Sequence, residues 1–457
     1  MAVRILSDCP SRTAVIKIPC GWSRNPEIRP SMGEIYINAG VSPQEYSISA
    51  FERIMPETHP ETFLESISFS MKQAKQIIGD LHAPDPRIYW TDFLITITAG
   101  HLCFAAMIQA PALLASGQSP LAWWGLKIFF YTATILLFLR AAMFTHELVH
   151  LPRQGWTAFR VAWNLLCGFP FLIPSFTYYP HIDHHRRKSY GTEEDGEYLS
   201  LSHQPPSAIV IYMLGVLVTP LAGVFRFGVL SPICWLFPSV RKWTFIHAST
   251  MVMDITYERP EAGDRVYRIM ILQEIACFLV CLGLFLHAPL IAKTWLDPLW
   301  IHAYFVGIGM IFMNNIRTLG AHRWTGPGSE LTFEQQLLDS CDYPHRPWIT
   351  ELWGPTGTRY HATHHLFPSL PYHNLGKAHR RLMAELPADS IYRETAKLSL
   401  LGEIAELWKR SSEVAKQRRF ENGYAPSFEL AMEPLQSGEL SPEVSRFGLE
   451  HQGSEAA

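Results

Sequence analysis

Charge is scarce in this 457-residue chain: Asp, Glu, Lys and Arg together supply 17% of it, against an apolar share of 48%. A soluble domain carries nearer a quarter charged residues, so the deficit excludes a wholly soluble protein. Basic excess is missing too. With 38 Lys and Arg against 41 Asp and Glu, the formal charge is −3, which gives a nucleic-acid backbone nothing to bind, and no nucleic-acid partner is expected. The eight cysteines, at 9, 20, 103, 167, 234, 277, 281 and 341, form no C-x-x-C pair and keep no regular spacing. A disulfide framework and a zinc knuckle are thereby excluded, and the cysteines read as small packing residues. The opening stretch MAVRILSDCPSRTAVIKIPCGW lacks the sustained apolar core of a cleaved signal peptide.

Long apolar runs and histidine are what the chain has in plenty. No Asp, Glu, Lys or Arg occurs from Phe93 to Leu126, and Ser116–Pro120 divides this region into Phe93–Ala115 and Leu121–Phe144. Each piece is long enough, at about 1.5 Å per helical residue, to cross a hydrocarbon core of about 30 Å. Met270–Ile291 and Leu299–Ile316 form a second such pair. Trp163–Phe176 is too short to span and is cut by Pro170 and Pro174, which suggests an interfacial or re-entrant piece. Basic residues at Arg153, Arg160, Arg186, Arg187, Lys188, Arg317 and Arg323 flank the runs on one side, so residues 145–200 and 317 onward are expected in the cytoplasm. An even number of crossings must then separate residues 200 and 317. The remaining apolar stretch, Ala208–Leu230, holds Pro220 and Arg226 and is expected to lie at the membrane surface as a broken helix pair.

The expectation is an all-α, multi-pass integral membrane protein: two transmembrane helical hairpins, four spans in all, with a cytoplasmic helical cap and both termini in the cytoplasm. Residues 1–90 form a polar N-terminal extension, 91–385 the membrane domain, and 386–457 a C-terminal extension whose end, Glu433–Ala457, is rich in Ser, Glu, Pro and Gly and reads as disordered.

Histidine numbers 20, about twice average usage. Three clusters account for the surplus. His146-Glu147-Leu148-Val149-His150 follows the second apolar run and would set two imidazoles on one helical face. Read literally it is also the H-E-x-x-H string of zinc metalloproteases, with Glu147 as general base. His181-Ile182-Asp183-His184-His185 and His361-Ala362-Thr363-His364-His365 each place histidine at i, i+3 and i+4, three ligands on one face. Eight clustered imidazoles suit two metal ions better than one. His322, after the last span, is a candidate ninth ligand.

The patterns H-x-x-x-H, H-x-x-H-H and H-x-x-H-H around two apolar hairpins resemble the integral-membrane fatty acid desaturase family, part of a di-iron desaturase and hydroxylase superfamily. The third cluster continues as HATHHLFPSLPYHN over 361–374, close to the extended H-x-x-H-H-x-x-P motif of acyl desaturases. The resemblance covers residues 90 to 385. It implies two non-haem irons held by His146, His150, His181, His184, His185, His322, His361, His364 and His365, with O2 as co-substrate. It also implies an acyl lipid, acyl-CoA or acyl-carrier substrate, and electrons from a separate ferredoxin, rubredoxin or cytochrome b5 type donor with its reductase. No H-P-G-G haem motif occurs, so a fused cytochrome b5 domain is not expected. One position departs from the family's pattern: Thr318 stands four residues before His322, where animal acyl-CoA desaturases carry a metal-shell Asn, and Asn314 and Asn315 lie about two turns from that histidine.

Such a site answers a chemical need. An unactivated methylene has no usable acidity, so a redox metal with O2 must remove its hydrogen. Glu147, Asp183 and Asp195 are candidates to orient the imidazoles, and Arg186, Arg187 and Lys188 to meet a phosphate or anchor the chain at the membrane surface. The expected activity is introduction of a double bond into an acyl chain. Hydroxylation or ketolation of a lipid or carotenoid on the same site is the alternative, and a zinc membrane hydrolase a remote one. Chain length, head group and double-bond position are set by the shape of the substrate tunnel.

Overall fold

The computed structural model of the protein describes residues 13–19, 32–38, 69–113 and 119–421. The tail Glu433–Ala457, Cys9, Cys20, His59 and His451 lie outside the described residues. The chain divides into two units, Met1–Ser68 and Phe69–Ala457. In the first, β1 (Thr13–Pro19) pairs antiparallel with β2 (Met32–Asn38), Thr13 opposite Asn38. This hairpin is an addition to the expected helices, and the β-branched alternation of TAVIKI and GEIYI accounts for it.

The second unit is helical, its described residues pairing only through isolated bridges. Its elements are α1 (Met71–Ile77), α2 (Pro86–Leu113), α3 (Pro120–His150), α4 (Thr157–Trp163), α5 (His181–His184), α6 (Pro206–Leu214), α7 (Thr219–Val224), α8 (Ser231–Leu236), α9 (Pro238–His247), α10 (Asp264–His287), α11 (Pro298–Ala321), α12 (Phe333–Asp339), α13 (Pro347–Trp353), α14 (His361–Leu366), α15 (Tyr372–Glu385) and α16 (Leu400–Glu421).

Five stretches are long and apolar enough to cross a bilayer: Pro86–Gln109, Pro120–His150, Thr219–Leu236, Asp264–Ala292 and Pro298–Ala321. Ile95, Leu102, Ile128, Phe129, Leu272, Leu279 and Phe305 on these helices are more than half exposed, a surface that lipid must cover. Helix α3 is the central one. It packs closely along α2, where a Cβ on Gly100 would meet the Phe138 ring at 2.5 Å, and along α11, where one on Gly309 would press on the Ile135 side chain.

Four of the five stretches coincide with the expected spans. The fifth belongs to the segment expected to lie at the membrane surface as a broken helix pair: α6 ends in a 3-10 turn over Gly215–Leu217 just before Pro220, whereas α7, a π turn over Phe225–Leu230 and α8 run on as one apolar helix long enough to cross. Both flanks of this segment are tied to the region that carries the histidine clusters. Ser202 Oγ donates to Trp324 O at 2.5 Å, two residues past His322. Beyond α9, Met251 N donates to Thr177 O at 2.8 Å and Met253 N to Gly196 O at 2.9 Å. Two charged side chains near this segment are buried together and a third is partly buried beside them: Glu274 of α10 receives Arg226 on one carboxylate oxygen and Arg241 on the other. A charge sunk among apolar helices needs such a partner.

Candidate metal centre

Each histidine cluster is held by a different local device. His146 and His150 occupy the last turn of α3, a helix that begins at Pro120 behind the N-cap Ser119. His181–His185 form the single-turn α5 and its C-cap. His322 is the C-cap of α11, its extended backbone bridging to Ser340. His361, His364 and His365 lie on the short α14, where Asp342 accepts from Thr363 N at 3.1 Å and Thr363 Oγ1 at 2.5 Å, so a buried carboxylate clamps the turn between the ligand positions.

All nine predicted histidines come together, in two groups whose nitrogens lie within 4.8 Å of one another: His146, His150, His181, His185 and His364, and His184, His322, His361 and His365. Each H-x-x-H-H triplet is thus divided. Its i and i+4 members join one group and its i+3 member the other, with the assignment reversed between the second and third clusters. Three ligands on one face was the expectation; the i+3 side chain is angled far enough from the i, i+4 row to serve a neighbouring site.

The donor set fits metal ions. His361 Nε2 is 2.8 Å from His322 Nε2, His185 Nε2 is 2.9 Å from His181 Nε2, and His364 Nε2 is 3.1 Å from His185 Nε2. Adjacent ligands at about 2.1 Å from one ion stand about 3 Å apart, so these separations match a coordination shell. Both ring nitrogens of His146 and Nε2 of His150 are buried with no hydrogen-bond partner, a costly arrangement unless something binds there. Burial, reinforced by neighbouring imidazoles, lowers the pKa of His181, His185, His361, His364 and His365, which keeps these rings neutral, the form that ligates.

Carboxylates hold three of the rings from behind. His184 Nδ1 is 2.8 Å from Asp195 Oδ2, and His181 Nδ1 is 2.9 Å from Glu197 Oε2. His322 Nδ1 reaches Tyr190 Oη at 2.9 Å, and that phenol donates to Asp339 Oδ2 at 2.7 Å. Burial would raise the Asp339 carboxyl, but the His322 imidazole and Thr325 hold it at about 2. Such contacts fix the tautomer that presents Nε2 to a metal.

Of the three acids proposed from sequence, only Asp195 does this. Asp183 pairs instead with the exposed Arg186 at 2.6 Å. Glu147 is 3.7 Å from His146 Nδ1, too far for a hydrogen bond. Its Oε2 accepts from Tyr89 Oη at 2.5 Å and from Tyr372 N at 3.1 Å, so it joins α3 to the segment after the third cluster and is not placed as a general base. The extended third motif is explained by the same clamp: Tyr372 Oη donates to Asp92 at 2.7 Å and Asn374 Nδ2 to Leu81 O at 2.8 Å. Glu197 and Asp339 were not foreseen. No spacing rule singles out Glu197 within the acidic run 193–197, and Asp339 is hydrogen-bonded to His322 through a tyrosine that lies 149 positions from it in the chain.

Asn314 accepts from Arg317 at 3.0 Å and Asn315 Nδ2 points to Tyr212 O at 3.4 Å, so neither replaces the missing Asn at 318. Three histidines outside the clusters have ordinary partners: His379 meets Asp342 at 2.9 Å, His287 meets Asp297 at 2.5 Å, and His101 meets Ile97 O at 2.9 Å. His302 pairs with Tyr131.

Residues 119–396 match the family model for fatty acid desaturase. The chain is also similar to a ceramide hydroxylase of Caulobacter vibrioides (strain NA1000 / CB15N), with 34% identity over 344 residues that cover 74% of this chain and 93% of the relative. With the apolar helices and the paired histidine groups, these matches show that the chain belongs to the fatty acid desaturase family and is a multi-pass membrane enzyme of lipid oxidation.

Proposed function

We propose that the protein is a di-iron, O2-dependent hydroxylase acting on the acyl or long-chain-base part of a ceramide-type lipid. The observation that carries the reading is the division of nine imidazoles into groups of five and four. Two adjacent, nitrogen-rich sites suit a pair of irons and exceed what one hydrolytic zinc needs. When bound, the irons supply what the side chains cannot, activation of O2 for attack on an unactivated C–H bond. The chain's own residues do the rest. The nine histidines hold the metals, Asp195, Glu197 and the Tyr190–Asp339 pair orient the rings, and burial of His181, His184, His322, His361 and His364 keeps bulk water out.

Hydroxylation is preferred because the relative covered almost end to end is a hydroxylase of ceramide. Desaturation is the second reading, favoured by the family model and by the extended third motif. Both reactions take one O2, two electrons and two protons: hydroxylation yields an alcohol and one water, desaturation an alkene and two waters. A separate one-electron carrier is therefore proposed in either case. Mass spectrometry of lipids from cells with and without the gene, under 18O2, decides between them. A product heavier by one labelled oxygen supports hydroxylation, and an unlabelled alkene transfers the assignment to desaturation.

A four-span topology with the histidines in the cytoplasm accompanies this proposal. It is supported by the hydrogen bonds that return both flanks of the α6–α9 segment to the histidine-bearing layer, since a segment that leaves and re-enters one layer crosses an even number of times.

A further inference from the structure

Helix α16 presents two apolar faces, and the protein covers one of them. Leu400, Ile404, Leu407 and Ser411 share the covered face. Leu401, Ala405 and Trp408 share the next face, about 100° round the helix, and Leu398 stands just ahead of it. All four are exposed, Leu398 by 85% and Leu401 by 70%. Glu406 and Lys409 take the far side and are exposed as well.

The contacts of the covered face fix how α16 lies. At its start Leu400 sits against Gly320, in the last turn of the spanning helix α11, where an added Cβ would collide with it. Ser411 follows about 16.5 Å along the axis. Its Oγ donates to Gln204 O, two residues before the apolar helix α6. Arg410 Nη2 donates to Arg323 O at 3.0 Å, just past the end of α11. Helix α16 therefore lies across the ends of two apolar helices, which the Ser202–Trp324 hydrogen bond holds level with each other.

A second uncovered apolar face flanks the same place. Ile316 of α11, Trp353 of α13 and Ile404 of α16 pack on one cluster of Cys341, Tyr343 and Leu400. On α13, Trp348 and Leu352 stand one turn apart and are exposed, Trp348 by 73%. The depth of α13 is set by Glu351, whose Oε1 accepts from Arg140 Nη1 at 2.7 Å. Arg140 belongs to the spanning helix α3, six residues before His146 and inside the apolar run Leu121–Phe144. The exposed side chains of α13 and α16 thus continue the surface that lipid covers on the spans.

We propose that α13 and the start of α16 are seated in the bilayer interface, with Trp348, Leu352, Leu398, Leu401 and Trp408 among the lipids and Glu406 and Lys409 in water. The partner is a lipid surface. An interfacial helix buries its apolar face about 5–10 Å into the headgroup and acyl boundary while its charged face stays wet, and Trp favours that layer. The segment beyond residue 385 is then a working part of the membrane-bound unit, because the helix that rests on lipid also holds Arg323, the neighbour of His322. This seat is independent of whether the product is an alcohol or an alkene.

The test uses the full-length protein in nanodiscs. Leu398→Cys, Leu401→Cys and Glu406→Cys are each labelled with an NBD fluorophore, with the unsubstituted protein as the labelling blank and iron content as the check that the centre is intact. Lipids brominated on the acyl chain should quench the probes at 398 and 401 at least ~3-fold more than the probe at 406, and aqueous iodide should do the reverse. Iodide that reaches 401 as readily as 406 places the face in water and overturns the proposal. A 401 probe that neither quencher reaches overturns it too, since protein then covers the face: a second copy where discs hold two chains, another part of this chain where they hold one.

Discussion

His361 Nε2 faces His322 Nε2 across 2.8 Å although 39 positions separate them in the chain. Two acceptor nitrogens at that distance repel unless a proton or a cation lies between them. In the proposed centre a metal fills that role, and one ligand removed from either group should be enough to disable it. His364→Ala, in the group of five, and His184→Ala, in the group of four, should each lower lipid oxidation by more than ~100-fold and reduce bound iron, with membrane insertion intact because neither side chain builds a span. Iron per protein and product yield are the readouts; full activity in either variant refutes that residue as a ligand.

Asp195→Asn removes the acceptor behind His184 and part of the turn that receives Gly191 N at 3.0 Å. Iron affinity should fall ~10- to 100-fold. Asp183→Asn breaks only an ion pair with an Arg186 side chain that is 65% exposed, so it should leave iron affinity unchanged. Competition with a chelator measures both, and equal effects would mean that the sequence neighbourhood matters and the Asp195 contact does not.

Glu274→Gln strips the shared counter-charge from two enclosed guanidiniums, Arg226 and Arg241. Removal of one partner from a buried ion cluster costs about 3 kcal/mol or more, so thermal unfolding in detergent should begin at a clearly lower temperature. An unchanged midpoint would place these charges in water.

A topology reporter fused after residue 240 should give the same compartment as one fused after residue 200. Opposite signals would make Thr219–Leu236 a true crossing and reverse the parity on which the four-span proposal depends.

Much of the centre was legible because metal ligation imposes spacing: His146 and His150, or His361, His364 and His365, must lie one turn apart whatever surrounds them. The division of each triplet between two groups was not legible. It depends on how α5 and α14 face each other, and their orientation is set by remote contacts such as Thr363 with Asp342 and Tyr372 with Glu147. The supporting acids were half legible for a similar reason. Asp195, Glu197 and Asp183 have the same local sequence appearance, and only the fold decides which carboxylate turns inward. Apolar length located the helices well, whereas it could not separate a crossing from a broken segment at 206–236, since both bury the same residue types.

The order in which the polypeptide leaves the ribosome gives the two histidine groups different histories. Four members of the larger group, His146, His150, His181 and His185, are made within the first two clusters, whereas the smaller group has only His184 until His322 appears. At about 5–20 residues per second, the 176 residues from His185 to His361 take roughly 9–35 s to synthesise. During that interval the nascent chain offers one nearly complete nitrogen site and no second one. In the proposed di-iron centre the larger group would therefore lack only His364 for most of that interval, and the last cluster, followed by the Tyr372 contact to Glu147, would complete both groups.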